Sequence, residues 1–473
     1  MTGLDLLPLH SGPPQVLSSI RLYGFRRMFL RARQSQPSTH LPRGALVRRC
    51  RGRCKMEAFM HGGMLARRRW PQSGDPGYRS QRRATRLQAI FARTQMSPGN
   101  KKRSLAVVSV AASLVAEIAV TADMPAIAHA PPVKDDGTIT VPSFDLPFSS
   151  FASREARDAL VQRLRNPMPM VADIAKTRSM MDERMAPVLE RAKSLYPYTV
   201  SKSTMGGVPV QTYVPTAGIA PQNKDRVLIE LHGGAFVVGG GGPGGASESI
   251  PIAGVGHIKV VAVDYRLGPE NHFPAASEDV AAVYRELLKT YKPQNVGIYG
   301  CSAGGMLSAE TIPWFLKEKL PLPGAIGVFC ASLYTFGEGD SAQIQPRLGS
   351  VIPIIPPTVP QDNFGASTAY FGGASSKDPL AVPGASKQVM KAFPPTLFLT
   401  GTRAPDMSAA AQSHLKLKQL GVKSELLLFD GMDHGFYADP TLPESVTAYE
   451  LIAAFFAENL GVKRGKDVKV ASR

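Results

Sequence analysis

At 473 residues, with 44% hydrophobic and 19% charged side chains, the chain has an ordinary globular composition, which excludes collagen-like and wholly disordered classes and leaves room for a sizeable core. Its formal charge of +18 would suit a nucleic-acid binder if it were evenly spread. Residues 1–95, however, hold 19 Lys and Arg against Asp5, Glu57 and Asp75, so this leader carries +16 and the rest of the chain only +2.

The basic leader has no aromatic platform and no helical period, and Cys50 and Cys54 lack a second ligand pair, so an RNA-binding or targeting arm is its weaker reading. A sharper account starts at Met96. From there the order is Lys101-Lys102-Arg103, an apolar run Leu105–Ala116, and small-residue sites at Val120-Thr121-Ala122 and Ala128-His129-Ala130, which is the order of a signal peptide. The apolar run is shorter than the roughly 20 residues a bilayer span needs. Residues 96–130 are therefore expected to direct export to a periplasmic or secreted location, with residues 1–95 a mis-assigned extension upstream of the true start. Beyond them only Cys301 and Cys330 remain, too few for a disulfide framework.

Residues 131–150, polar and rich in proline, are predicted to be a linker. A single domain over 151–470 follows, with cap elements at about 151–205 and 332–391. The first cap element carries helical patterns at Glu155–Leu164 and Met180–Leu195. Strands are predicted at Val208–Val214, Val227–Leu231, Lys259–Val263, Val296–Tyr299, Ala325–Phe329, Thr396–Thr400 and Ser424–Phe429. Helices are predicted at Ala276–Tyr291, after Ser302, at Ser408–Leu420 and at Glu444–Asn459. Near-continuous apolar strands alternating with helices indicate an α/β fold with a mostly parallel sheet covered on both faces. Ser332–Lys391 breaks this rhythm with Pro353, Pro356, Pro357 and Pro360, and reads as an excursion above the sheet, a lid.

Three segments carry chemistry. Gly300-Cys301-Ser302-Ala303-Gly304 follows a strand and precedes a helix, the setting in which a serine hydroxyl is lifted clear of a sheet and small residues must flank it. Alone this match is weak, and a glycine-rich phosphate turn competes with it. His232-Gly233-Gly234-Ala235-Phe236 follows another strand, where glycine lets backbone N–H groups face a developing oxyanion. The expected oxyanion hole is Gly233, Gly234 and Ala303, set against a merely flexible glycine loop; no Gly-Lys-Ser/Thr follows to make a P-loop. His434, just past the last strand, comes after the serine and after an acid, which His257, His272 and His414 do not match in placement. Asp406, past the strand ending at Thr400, is the expected acid, with Asp430 and Asp433 given structural roles.

With these residues placed, the chain from about Ser153 to Leu460 resembles the bacterial hormone-sensitive-lipase-like esterases of the α/β-hydrolase fold. The resemblance rests on His232-Gly233-Gly234, on Asp264-Tyr265-Arg266-Leu267-Gly268-Pro269-Glu270-Asn271-His272-Phe273-Pro274, on the Ser302 elbow and on His434-Gly435-Phe436. It implies an N-terminal helical cap, no metal or cofactor, and short acyl esters as substrates. Three positions depart from the family pattern: Ala235 stands for a third glycine, Cys301 for an acidic or threonine residue, and Ala404 where the acid usually follows the residue matching Arg403.

The expected function is that of a serine hydrolase cleaving esters of short to medium acyl chain through an acyl-enzyme on Ser302, with no nucleic-acid partner, no stable membrane span and an oligomeric state the sequence does not specify. Lactone or amide hydrolysis on the same triad, and non-catalytic small-molecule binding on the same fold, are the alternatives.

Overall fold

The computed structural model describes residues 132–167, 173–240, 243–335, 338–349 and 367–462. The leader 1–95 and the signal-peptide segment 96–130 lie outside the described residues.

Two helices come first, α1 (Arg154–Arg165) and α2 (Ile174–Leu195). Each begins at a side chain that can accept from an otherwise unpaired backbone amide: Ser153 from Ala156 N at 3.0 Å and Asp173 from Lys176 N at 3.0 Å. A hairpin follows, β1 (Tyr198–Met205) and β2 (Val208–Pro215), joined by Gly206-Gly207 with φ +59° and +86°. The chain then alternates β3 (Val227–Leu231), α3 (Pro243–Gly256), β4 (Lys259–Val263), α4 (Ala275–Leu287), β5 (Val296–Cys301), α5 (Ala303–Lys317) and β6 (Ala325–Phe329). Three short helices, α6 (Asp340–Ile344), α7 (Thr368–Phe371) and α8 (Lys387–Ala392), lead to β7 (Thr396–Gly401), α9 (Met407–Gln419), β8 (Ser424–Phe429) and α10 (Pro443–Asn459).

The eight strands form one sheet in the order β1-β2-β4-β3-β5-β6-β7-β8. β2 pairs antiparallel with both β1 and β4, and the six strands from β4 to β8 run parallel. Both faces are apolar because alternate strand residues feed two cores. Ile229, Ile298, Val328 and Phe398 pack with helices α4, α5 and α9, while Leu228, Tyr299, Phe329 and Leu399 pack with α3 and α10. This α/β-hydrolase architecture brings the ends of β3, β5, β7 and β8 to the same side of the sheet, where the segments singled out in the sequence lie.

Two elements escaped the sequence reading. β1 was assigned to the cap, yet it is an edge strand whose side chains are nearly all solvent-exposed, so no apolar alternation betrays it. α3 contains Pro251 and several glycines, poor helix formers, and owes its helix to burial of Ile250, Ile252 and Ala253 against the sheet.

Two boundary expectations also change in detail. The end of the predicted linker is seated rather than free: the Pro147 carbonyl accepts from Arg403 at 2.8 Å, Ser149 donates to Asp430, and the Arg403 guanidinium lies 5.3 Å from the Phe148 ring centre. In the described parts of 332–391 the chain enters the core, with Tyr370, Phe371, Ala381, Val382 and Met390 buried, instead of rising above the sheet. Residues 336–337 and 350–366 of that interval lie outside the described residues.

Candidate active site

Ser302 sits between β5 and α5 at φ 58°, ψ −119°, a left-handed conformation that a side-chain-bearing residue adopts only where its surroundings enforce it. Two backbone bonds do so: Ser302 N donates to Phe329 O, and Met306 N donates to Ser302 O, each at 2.9 Å. The turn is also compressed against β3. A Cβ on Gly304 would lie 1.7 Å from the Leu231 carbonyl oxygen, which explains why nothing larger than glycine stands there.

The segment after β3 wraps beside this elbow. A Cβ at Gly233 would come within 3.5 Å of Ser302 Cβ. Gly234 takes φ +114°, and its carbonyl accepts from both Val237 N and Val238 N at 3.0 Å. Ala235 and Phe236 continue in the left-handed region at φ 54° and 60°. Ala235 therefore occupies a conformation in which the family's glycine would be unstrained, at a cost of about 1–2 kcal/mol. Packing holds the segment there: the Phe236 ring stacks on Tyr370 with centroids 4.6 Å apart, and its carbonyl accepts from Gly268 N at 2.8 Å.

His232 is buried and supports this loop. Its Nδ1 faces the Gly233 carbonyl at 2.7 Å, so that nitrogen carries the proton, and its ring stacks on Tyr265 at 4.1 Å with an interplanar angle of 4°. Burial pulls its pKa below the ordinary histidine value, and the ring is neutral.

His434 and Asp406 meet. His434 Nδ1 lies 2.8 Å from Asp406 Oδ1, and Asp406, 1% exposed, accepts with its other oxygen from the Thr400 hydroxyl at 2.6 Å. The acid thus reaches the histidine from the turn after β7 although Ala404 stands where the family places it. Asp433 turns away to Arg163 at 2.5 Å, and Asp430 turns to Ser149 and Thr402. The other histidines considered are elsewhere, His257 against Gly218 O, His272 against Ala369 O and His414 against Ser424.

Cys301 is buried and unoxidised, as is Cys330 beside it; burial first, then the neighbouring thiol, pushes the Cys301 pKa well up, which makes it an inert packing residue. Among the described residues no group of three or more His, Cys, Asp and Glu is arranged to hold a metal ion, and no helix is long and apolar enough to cross a membrane.

The α/β-hydrolase-fold family matches residues 228–438, which span all three segments. The carboxylesterase/phospholipase LipF of Mycobacterium tuberculosis is 28% identical over 247 residues, half of this chain and 64% of that protein, so the chain spans less than two-thirds of this relative's length. The crystal structure of esterase E25 is 30% identical, with a TM-score of 0.58 over 68% of this chain and 99% of that one. The chain belongs to the esterases of the α/β-hydrolase fold. A further structure, an esterase from the bacterial hormone-sensitive lipase family, shares the fold at 24% identity and a TM-score of 0.55, covering 66% of this chain and all of its own.

Within this family member the sequence reading missed two buried acids. Glu230, in β3, and Glu248, in α3, lie beneath the Gly233 segment. Glu248 accepts from the Tyr437 hydroxyl at 2.6 Å and faces the Gly233 N–H; burial lifts its pKa to about 7. Glu230 accepts from Ser249 at 3.3 Å, and burial, followed by the Glu248 charge, raises it well above the carboxylate range. The sole sequence signal was two acids set among apolar and glycine residues, which becomes informative only once α3 is recognised as buried.

Proposed function

We propose that this family member hydrolyses carboxylic esters of short to medium acyl chain through an acyl-enzyme on Ser302. The observation that carries the reading is the 2.8 Å pairing of His434 Nδ1 with the buried Asp406, on the loops that flank an elbow holding Ser302 in a left-handed conformation.

In this mechanism Ser302 Oγ attacks the ester carbonyl carbon while its proton passes to His434 Nε2. Asp406 holds the imidazole in the tautomer with Nδ1 protonated and stabilises the imidazolium. The tetrahedral oxyanion is met by the N–H groups of Gly234 and Ala303. Gly233, expected as a third donor, has its N–H toward the Glu248 carboxylate, so we assign it a supporting place, because one N–H directed at a carboxylate is a poor second donor to an oxyanion. Collapse expels the alcohol, which takes the proton from His434. Water, activated by the same base, then releases the acid and regenerates Ser302. Small-molecule esters are the substrates in this reading, and the steps require no cofactor.

Ser302→Ala is expected to abolish nitrophenyl-acetate turnover while leaving the circular-dichroism spectrum unchanged, and retained turnover would overturn the assignment. Stoichiometric labelling of Ser302 by an organophosphonate separates catalysis from mere binding, and a panel of nitrophenyl esters of increasing length fixes the acyl preference. Lactone or amide substrates preferred over every ester would move the reading to those classes. We further propose export through residues 96–130, with synthesis starting at Met96; peptides from residues 1–95 in the native protein would refute that start.

A further inference from the structure

A buried carboxylate lies behind the proposed chemistry and has no part in it so far. Glu248 is 6% exposed, on α3, beneath both loops that the mechanism uses. Its Oε2 accepts from the Tyr437 hydroxyl at 2.6 Å, and Tyr437, itself fully buried, is three residues past His434. Its Oε1 lies on the other side, 3.8 Å from where a Cβ of Gly233 would be, with the Gly233 N–H toward the carboxylate. That same Cβ position is 3.5 Å from Ser302 Cβ. One side chain therefore touches the segment before the oxyanion donor Gly234 and the segment that bears the base.

Stability does not explain this acid. A carboxylate placed in an apolar layer costs several kcal/mol of desolvation, and a methionine or leucine would fill the same space among Ile250, Phe329 and Tyr299 without that cost. A second carboxylate below it, Glu230, adds to the penalty, and its Oε1 has no hydrogen-bond partner among the described residues. The Glu248 charge adds to burial in favouring the protonated form of Glu230.

Resting on the hydrolase reading above, we infer that Glu248 is a positioning residue that fixes the Gly233–Gly234 loop and the His434 loop relative to each other for acyl transfer. It acts through the hydrogen bond from Tyr437 on one side and through the contact with Gly233, whose N–H is directed at its carboxylate, on the other. In its ionised form it also interacts electrostatically with His434, where positive charge develops when Ser302 is deprotonated.

The groups facing Glu248 set how this role varies with pH. From β3 comes Glu230, from β5 Tyr299 and Cys301, and from the loop after β6 Cys330. Tyr437, Tyr449 of α10 and Tyr265 after β4 complete the shell. Burial raises the tyrosines and thiols further, so they stay protonated at neutral pH, and the coupled carboxyl pair is left to set the pH dependence of this shell.

The test is Glu248→Gln, which keeps the shape and an acceptor but not the charge, measured with Tyr437→Phe and the double variant on nitrophenyl acetate. With folding intact, Glu248→Gln is expected to lower kcat by about 10²-fold, the cost of a small misplacement of reacting groups, with KM unchanged. The acid limb of its kcat/KM profile should be displaced. Tyr437→Phe should lower kcat less, and the double variant should fall no further than Glu248→Gln alone, because both remove the same tie. Wild-type kcat and an unmoved pH profile in Glu248→Gln would overturn the proposal, as would a rise in KM at constant kcat. Should Glu248→Gln fail to fold, Tyr437→Phe decides: unaltered kcat and pH profile refute the tie, and reduced kcat at constant KM with a displaced limb supports it. A wild-type protein that neither turns over esters nor takes the phosphonate at Ser302 would overturn the hydrolase reading itself, a result distinct from an active enzyme indifferent to Glu248.

Discussion

The elbow and the N-terminal helices are held in contrasting ways. β5 is buried along its length, and in α5 every residue from Ala303 to Phe315 is buried. In α1 and α2, 12 and 22 residues long, Ala156 and Ala192 alone are buried among the described residues. The elbow is fixed by backbone contact and apolar packing, whereas the helices are tied down by guanidinium groups. Arg163 of α1 pairs with Asp433 beside His434, and Arg178 of α2 donates to Val237 O, Gly268 O and Glu270 beside the Gly233–Gly234 loop. The chemistry thus rests on contacts indifferent to salt, and the cover over it rests on charges that are not.

The largest effect should come from the elbow's closest contact. Gly304→Ala would drive a methyl group to within 1.7 Å of the Leu231 carbonyl, a backbone atom in a central strand that cannot yield. Destabilisation beyond about 4 kcal/mol is expected, seen as insoluble expression or a collapsed Tm. A soluble Gly304→Ala protein with wild-type Tm would show that the packing argument overstates the rigidity of this region.

Next is the acid that orients the base. Asp406→Asn keeps the bond geometry to Thr400 and the fold, but it favours the wrong His434 tautomer, so kcat should fall by about 10⁴-fold with little change in Tm. Equal loss in Asp433→Asn, and none in Asp406→Asn, would transfer the role to the neighbour. A cap contact then probes the other half of the comparison. Arg163→Met leaves Asp433, only 7% exposed, without its cation, at an expected cost of about 1–3 kcal/mol read from urea denaturation. The loss should shrink as salt rises, in contrast to Gly304→Ala.

The same division explains what was legible in the sequence. The places of Ser302 and Asp406 were readable because each follows a fully buried strand, and that of His434 because it follows the apolar run of the half-buried β8, with chain order suggesting their parts. The acid was legible despite Ala404 because the turn after β7 has room for a carboxylate two residues on. The antiparallel edge β1 was not legible, since one exposed strand carries no periodic signal, although Gly206-Gly207 marked its hairpin. α3 was hidden by its glycines and proline, and with it Glu248, whose meaning depends on which residues lie above it in space rather than near it in the chain. The start of α2 at Ile174, six residues before the predicted Met180, follows from the Asp173 cap, a polar signal that apolar periodicity does not register.

The smallest effect should be at the most exposed tie. Arg178 donates to both oxygens of Glu270 at 2.8 Å, and these bonds hold the carboxyl pKa down at about 2. A carboxyl whose folded value is depressed contributes stability that is fully present above its unfolded value, near 4.5, and is lost as pH falls toward 2. Arg178→Met is therefore expected to speed amide hydrogen exchange in α2 at pH 7, while global unfolding changes little because Glu270 is solvent-exposed and its pairing is screened. The gap between variant and wild type should narrow on acidification toward pH 3, and again in about 1 M salt. What should survive both treatments is the part due to the two carbonyl acceptors, Val237 O and Gly268 O, which do not titrate. A gap that persisted undiminished in acid and in salt would mean that these neutral bonds, and not the Glu270 charge, hold α2 against the segment after β3.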